Sequence, residues 1–198
     1  MKTPQTEQAT AARDHYTTKL AAIRADKTLS DHGRRQQIAE LHSSTKDRLH
    51  KLRAEEAVQL DNRHASLVGR LFGTADGMQG ASLISFRDAA DRASSLTKPA
   101  DAQRMMQTAL QHGDSQLAAA IARRAVDMDW ADVFGAWQDA RRPSLPDIDA
   151  IVNELATIEQ HGSLRDTMTY RMPPTPTEIL GSAALASSTG TATGDLAG

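Results

Sequence analysis

Apolar side chains recur at helical spacing through residues 30–72, a stretch that has no proline and only two glycines. Its apolar positions step mainly by three and four residues, which is the spacing of coiled-coil core positions. Polar residues at three of these positions, Thr45, Glu56 and His64, weaken a long isolated dimer. The pattern therefore predicts one long helix, either in a coiled coil or in a hairpin with the helix before it. The core positions are Ile38, Leu41, Thr45, Leu49, Leu52, Glu56, Leu60, His64, Leu67 and Leu71.

A shorter helix is predicted at residues 6–25, where Tyr16, Leu20 and Ile23 lie on one face. Residues 26–29 interrupt this pattern. Ser30 is placed to begin the long helix, because its hydroxyl can accept hydrogen bonds from the first free amides. Residues 1–72 together form the predicted N-terminal helical rod.

A glycine-rich joint, residues 73–81, follows the rod in the sequence, and its glycines lower the stability of any regular structure there. Beyond it the pattern predicts a small helical bundle at residues 82–161. Gly113 has the position of a helix C-cap, and Asp114 and Asp129 have the positions of N-caps. The helices predicted in the bundle span residues 83–93, 97–111, 117–126, 130–140 and 148–160.

The bundle carries the densest set of aromatic and aliphatic side chains in the chain. We expect Trp130, Phe134 and Trp137 to lie in its core. The other core residues predicted are Leu96, Met105, Met106, Leu110, Leu117, Ile121, Val126 and Val133. The sequence thus predicts an all-α protein, in which a long N-terminal helix or helical hairpin is joined to a small bundle.

Residues 162–198 are predicted to form a flexible tail rich in proline, threonine and glycine, and we expect residues 187–198 to be disordered. Within the tail, residues 170–176 have the composition of a short polyproline-like segment, and two apolar residues follow it. A stiff segment with apolar anchors is typical of a docking peptide. The residues predicted to dock on a partner are Tyr170, Met172, Pro173, Pro174, Ile179 and Leu180.

Composition narrows the class of protein. The 198 residues contain no cysteine, which excludes disulfides and thiolate metal sites. The N-terminus is polar, so we expect no leader peptide, and no stretch approaches the roughly 18 to 20 apolar residues of a membrane helix. The net charge is +4 over residues 1–72, −1 over 73–142 and −5 over 143–198. A basic arm and an acidic tail favour charge-complementary self-association.

Candidate catalytic chemistry is sparse in the sequence. Five of the seven histidines, His15, His32, His42, His50 and His64, lie in the rod, and no pair is spaced to place two metal ligands on adjacent turns. Paired carboxylates such as Glu55 and Glu56 are predicted on exposed helix faces. No phosphate-binding loop or nucleophile motif occurs. We therefore expect a protein without enzymatic activity, cofactor or metal.

Nucleic-acid binding is the alternative from another functional class. The basic residues of the rod could neutralise phosphates. Acidic residues are interleaved with them, however, and no aromatic side chains lie among them for base stacking. The basic residues are Arg34, Arg35, Lys46, Arg48, Lys51 and Arg53, with Arg123 and Arg124 in the bundle.

Several segments resemble a known group of proteins. In the rod these are residues 23–31, 33–41 and 67–73, and in the bundle residues 85–93, 114–125 and 129–133. Together they make residues 20–142 resemble small helical proteins encoded among the virion structural genes of tailed phages and prophages of actinobacteria. The resemblance implies a role in capsid or head-to-tail assembly, as a scaffold or a virion component. Coiled-coil scaffolds generally carry a basic coat-binding helix at the C-terminus, whereas this C-terminal part is acidic.

The sequence therefore favours a non-enzymatic phage structural or assembly protein that acts through protein–protein contacts. We expect a homo-oligomer whose partners are capsid, portal or connector proteins, in the virion or in the host cytoplasm during assembly. The residues predicted to mediate association are Ile38, Leu41, Leu49, Leu52, Leu60 and Leu67.

Overall fold

The computed structural model describes residues 3–74, 76–164 and 166–180. These residues contain helices and no strands, which confirms the all-α prediction. The helices are α1 (Pro4–Ala25), α2 (Asp31–Phe72), α3 (Ala81–Ser94), α4 (Pro99–Gln111), α5 (Ser115–Asp127), α6 (Ala131–Arg141), α7 (Ile148–Leu164) and α8 (Asp166–Thr169).

The first two helices begin at side-chain caps. The Thr6 amide donates to the Thr3 hydroxyl at 3.1 Å, and the Thr3 amide donates to the Thr6 hydroxyl at 2.9 Å, so two otherwise unpaired amides are satisfied. Ser30 caps α2 as predicted, because its hydroxyl accepts from the Gly33 amide at 3.1 Å. The predicted helix of residues 30–72 is thus present as one 42-residue helix.

The chain divides into two compact units, residues 1–59 with 161–198 and residues 60–160. We call them unit 1 and unit 2. The first boundary predicted from the sequence lies elsewhere, at the glycine-rich joint of residues 73–81, whereas the second, near residue 162, lies close to the end of unit 2 at residue 160. The difference has a physical cause: the last three turns of α2 carry Leu67, Leu71 and Phe72, and these side chains belong to the hydrophobic core of unit 2.

Unit 2 is built around α5, which packs against α3, α4 and α6. Trp137 is buried, and Trp130 and Phe134 are partly buried against the same core. Val126 is 49% exposed, so its predicted place in the core is wrong. The fully buried large side chains of the unit are Leu67, Met106, Ile121, Val133 and Ile148. The alanine-rich faces of α4 and α5 contribute Ala102, Ala109, Ala118, Ala122 and Ala125.

The end of α2 is fixed in unit 2 by aromatic packing and by ion pairs. Phe72 stacks on Trp137 with 5.3 Å between ring centroids, and the Phe134 ring lies 5.7 Å from Trp137. Arg63 donates twice to the Glu154 carboxylate of α7, at 2.6 and 2.8 Å. The Arg63 guanidinium lowers the pKa of Glu154 through these hydrogen bonds. This packing explains why α2 does not stop at a domain boundary.

Two successive turns of unit 2 share one backbone geometry. After α4, the amide of Asp114 donates to the Ala109 carbonyl at 2.9 Å, and Gly113 has φ +70°. After α5, the amide of Trp130 donates to the Ala125 carbonyl at 2.8 Å, and Asp129 has φ +57°. Both are Schellman-type helix ends. Asp129 was predicted to cap α6, but it occupies the left-handed position that ends α5, and Trp130 is the N-cap residue.

Candidate protein interaction surface

Unit 1 contains an antiparallel helical hairpin, formed by α1 and residues 31–59 of α2. The Thr3 hydroxyl, at the start of α1, donates to the Glu56 carboxylate near the far end of this part of α2. The rings of Tyr16 and His42 meet edge to face with 6.2 Å between centroids. The pairing runs in opposite directions along the two helices. Of the two arrangements left open by the sequence, the hairpin is present within the single chain.

The face of the hairpin that carries small side chains forms a shallow apolar site. Ala9 and Ala12 of α1 and Leu49 and Leu52 of α2 are buried in one cluster. Alanines at positions 9 and 12 lie one helical turn apart, and they leave room for a bulky side chain. Tyr170, from the C-terminal part of the chain, is buried in the same cluster and is only 6% exposed.

The C-terminal strip, residues 170–180, therefore lies on the hairpin. Met172 packs beside Tyr170 on the same cluster, and Pro176 is buried. Residues 171–176 have no regular secondary structure, as expected for a proline-containing segment, and residues 177–180 begin a helical turn. The strip thus has the geometry of a docked peptide whose anchors are one aromatic and one flexible apolar side chain.

An ion pair fixes the far end of the strip. Arg24, in the last turn of α1, donates from Nε to Glu178 Oε1 at 2.7 Å and from its terminal nitrogen to Oε2 at 3.0 Å. Such bidentate pairs are the most specific carboxylate contacts that arginine makes. The hydrogen bonds from Arg24 lower the pKa of Glu178 to about 2. Arg13 adds a hydrogen bond to the Met168 carbonyl at 3.2 Å, just before the strip.

The hairpin interior also contains buried polar atoms that have no hydrogen-bond partner in the described part of the chain. They include the hydroxyl of Tyr16 and Nε2 of His42. Burial raises the pKa of Tyr16, while the charge of Arg24 lowers it and that of Glu178 raises it. Unpaired buried groups of this kind cost about 1–3 kcal/mol each.

The structure brings together residues from the two sets that the sequence assigned to different partners. Leu49 and Leu52, predicted for association, lie in one buried cluster with Tyr170, predicted for docking, and Met172 packs against this cluster. The other predicted association residues are distributed as follows: Ile38 is buried in unit 1, Leu67 is buried in unit 2, and Leu41 and Leu60 are half-buried. Among the other predicted docking residues, Pro173 and Ile179 are half-buried, and Pro174 and Leu180 are exposed.

Two features of the site were not predicted from the sequence: the alanine pair of α1, Ala9 and Ala12, and the ion pair between Arg24 and Glu178. Ala9 and Ala12 carry no polar or bulky group, so their role is visible only once Tyr170 lies against them. Arg24 and Glu178 are 154 residues apart in the chain. Their opposite charges, on a basic arm and an acidic tail, were the one sequence feature that pointed to contact between these regions.

The predicted basic residues are partly engaged in local pairs. Arg34 contacts the Asp31 carboxylate at 3.1 Å and the Asp26 carbonyl at 3.1 Å. Lys51 lies 4.0 Å from Glu55. These pairs reduce the positive charge that the hairpin can offer to phosphates. In the described residues, no group of three or more histidine, aspartate or glutamate side chains could hold a metal ion.

Unit 2 has an open cleft of about 390 Å³ between the end of α2, the α5–α6 turn and α7. Val68, Phe72, Trp130 and Leu155 are among the apolar residues that line it. His64 Nε2 lies 3.8 Å from Glu159 Oε1 at its edge, where the Glu159 side chain is exposed and the His64 side chain is partly exposed. Within the described helices, none is long and apolar enough to cross a membrane. The chain matches no protein-family model, no curated protein and no solved structure.

Proposed function

We propose that this protein is a non-enzymatic structural or assembly protein of a tailed phage or prophage, and that it acts through protein–protein contacts in capsid or head-to-tail morphogenesis. The observation that carries the proposal is the docked strip. A helical hairpin that binds an extended peptide through an aromatic anchor and a bidentate ion pair is a recognition surface for protein. The resemblance of residues 20–142 to phage virion proteins supports the biological setting.

The proposed partners are the capsid, portal or connector proteins that assemble around it, in the virion or in the host cytoplasm. Between the two roles that the resemblance implies, the charge distribution favours a virion component. Residues 143–198 carry a net charge of −5, and Glu178 in this acidic part pairs with a basic residue of the same chain. A scaffold of the usual kind would present a basic C-terminal helix to the coat protein instead.

Deletion of the gene from the phage or prophage that encodes it tests this proposal. We expect defective heads or unjoined heads and tails by electron microscopy, and recovery of normal particles when the wild-type gene is supplied in trans. Mass spectrometry of purified particles and assembly intermediates should detect the protein in at least one of them. Normal particles after deletion, with no protein in any particle or intermediate, would overturn the proposal.

A further inference from the structure

The strip and the hairpin come from opposite ends of the chain and are joined by noncovalent contacts alone. Tyr170 is buried in one cluster with Leu49 and Leu52, Met172 packs against this cluster, and Glu178 pairs with Arg24. Each of these contacts is between side chains that every copy of the protein carries. The same interface can therefore form within one chain or between two chains without any new contact.

We propose that two copies of this chain exchange their C-terminal strips, so that the hairpin of each copy binds residues 170–180 of the other. The inference rests on the proposed function, since it names the contact through which an assembly protein would join its own copies. The binding surface is the alanine-lined site of the hairpin, and the partner is the strip of a second copy.

Charge complementarity favours a second copy as the occupant. Residues 1–72 carry a net charge of +4 and residues 143–198 carry −5, so the two ends of neighbouring copies attract each other over a longer range than the contacts reach. Within the site, Arg24 pairs with an acidic residue at the position of Glu178, and the small side chains of Ala9 and Ala12 share their cluster with an aromatic side chain, Tyr170. The strip of another copy carries both of these residues.

Exchange requires that the strip can leave its own hairpin. The contact is small: Tyr170 of the strip is buried in the cluster, Met172 packs against that cluster, Pro176 is buried, and the Arg24 side chain in the ion pair is 47% exposed. Opening therefore costs little compared with unfolding of a buried core.

Concentration decides between the two arrangements. A strip in the same chain as its hairpin binds intramolecularly, so a second copy must compete with an effective concentration that is set by the intervening residues 60–169. In dilute solution, each strip is thus expected to stay on the hairpin of its own chain. Copies that are gathered on a growing particle reach comparable local concentrations, and there each strip can bind the neighbouring hairpin.

A charge-swap mixture tests the exchange. The variants Arg24→Glu and Glu178→Arg each place like charges at the ion pair of their own chain. When the two are mixed, each strip finds an opposite charge only on the hairpin of the other variant. Sedimentation velocity should show a reciprocal heterodimer in the mixture, with association about tenfold tighter or more than for either variant alone.

Two controls test whether any dimer forms through the strip. Tyr170→Ala added to both variants should abolish the heterodimer, because it removes the aromatic anchor. The double variant Arg24→Glu with Glu178→Arg in one chain should restore the closed monomer, because the pair is complementary again. A mixture that stays monomeric at millimolar concentration overturns the exchange, and so does a dimer that persists after Tyr170→Ala.

A peptide measurement separates the second copy from other partners. A synthetic peptide of residues 166–180 should bind the Glu178→Arg chain, whose own strip is repelled, more tightly than it binds the wild type. Binding of the peptide together with a monomeric charge-swap mixture would mean that the site serves the peptide of another protein, and it would overturn the exchange. The gene-deletion phenotype is independent of these outcomes, so failure of the exchange and failure of the proposed function are distinguishable.

Discussion

The two units of this protein differ in how much apolar surface each buries in its own interior. Among the residues that the structure describes, seventeen side chains are buried in the core of unit 2, whereas five are buried in the cluster that joins the hairpin and the strip in unit 1. Regions with few buried contacts open at lower free energy than well-packed cores. The comparison indicates that unit 2 provides the stable part of the protein and that unit 1 provides the part suited to exchange contacts.

The largest expected effect comes from the core of unit 2. Ile121 of α5 is fully buried, so Ile121→Ala should lower the free energy of unfolding of unit 2 by about 3 kcal/mol. Both tryptophans, Trp130 and Trp137, lie in this unit, so urea denaturation followed by tryptophan fluorescence reports on it selectively. Ile84→Ala is the matched control, because Ile84 is 70% exposed and its loss should change stability by less than about 0.5 kcal/mol. Equal effects of the two substitutions would contradict the assigned core.

A smaller effect is expected in unit 1. Leu49 is fully buried against the strip and α1, so Leu49→Ala should destabilise the hairpin by about 2–3 kcal/mol and release the strip. Hydrogen exchange should become faster in peptides from α1 and from residues 170–180, and it should stay unchanged in α5. Val58→Ala, at a position of α2 that is 58% exposed, is the control. Faster exchange in α5 as well would remove the distinction between the two units.

The two Schellman turns of unit 2 allow its free energy of unfolding to be changed by substitutions that lie outside unit 1. Asp129 holds a left-handed conformation at φ +57°, which costs a side-chain-bearing residue about 1 kcal/mol more than it costs glycine. Asp129→Gly should therefore stabilise unit 2 by up to about 1 kcal/mol. The reverse change, Gly113→Ala, meets no neighbouring atom within 4 Å, so its expected loss of about 1 kcal/mol reflects backbone conformation alone. Tryptophan fluorescence during urea denaturation measures both changes, and the same sign for both would refute this explanation.

The all-α class and most helix ends could be predicted from the sequence because they depend on local chemistry. Ser30 and Gly113 act at the helix ends where their side chains and conformations suggested. Asp129 was misplaced because aspartate is common both at N-caps and, less often, in left-handed turns, and the sequence does not distinguish these. Val126 was misplaced because its apolar side chain fits the helical period but faces away from the core.

The contact between the strip and the hairpin could not be derived from the sequence. Helical spacing shows which side chains share a face, but it does not show which distant segment covers that face. The same leucines, Leu49 and Leu52, fit a coiled-coil core or an intramolecular site equally well. Only the position of Tyr170 against them identifies the site. The predicted disorder of residues 187–198 concerns residues outside those that the structure describes.

The smallest expected effect concerns the ion pair of the strip and its dependence on pH. The pKa of Glu178 is lowered from 4.5 to about 2 by hydrogen bonds from Arg24. Its contribution to strip binding is therefore fully present above pH 4.5 and is lost as the pH falls towards 2. Because Arg24 is 47% exposed, water screens the pair, and we expect an effect below about 1 kcal/mol.

Hydrogen exchange of residues 170–180, compared between pH 5 and pH 3 after correction for the intrinsic rate, measures this effect. The wild type should lose protection of the strip at pH 3. In Glu178→Gln the strip should be less protected at pH 5, and its protection should change little between pH 5 and pH 3 because position 178 no longer titrates. The comparison between the two chains matters because Asp149 and Glu154 in unit 2 also have lowered pKa values, each through hydrogen bonds from an arginine. Those groups titrate equally in both chains, so only the difference between the chains reports on Glu178. If the wild type and Glu178→Gln lose protection in parallel, the ion pair does not hold the strip, and its other contacts with the hairpin carry the binding.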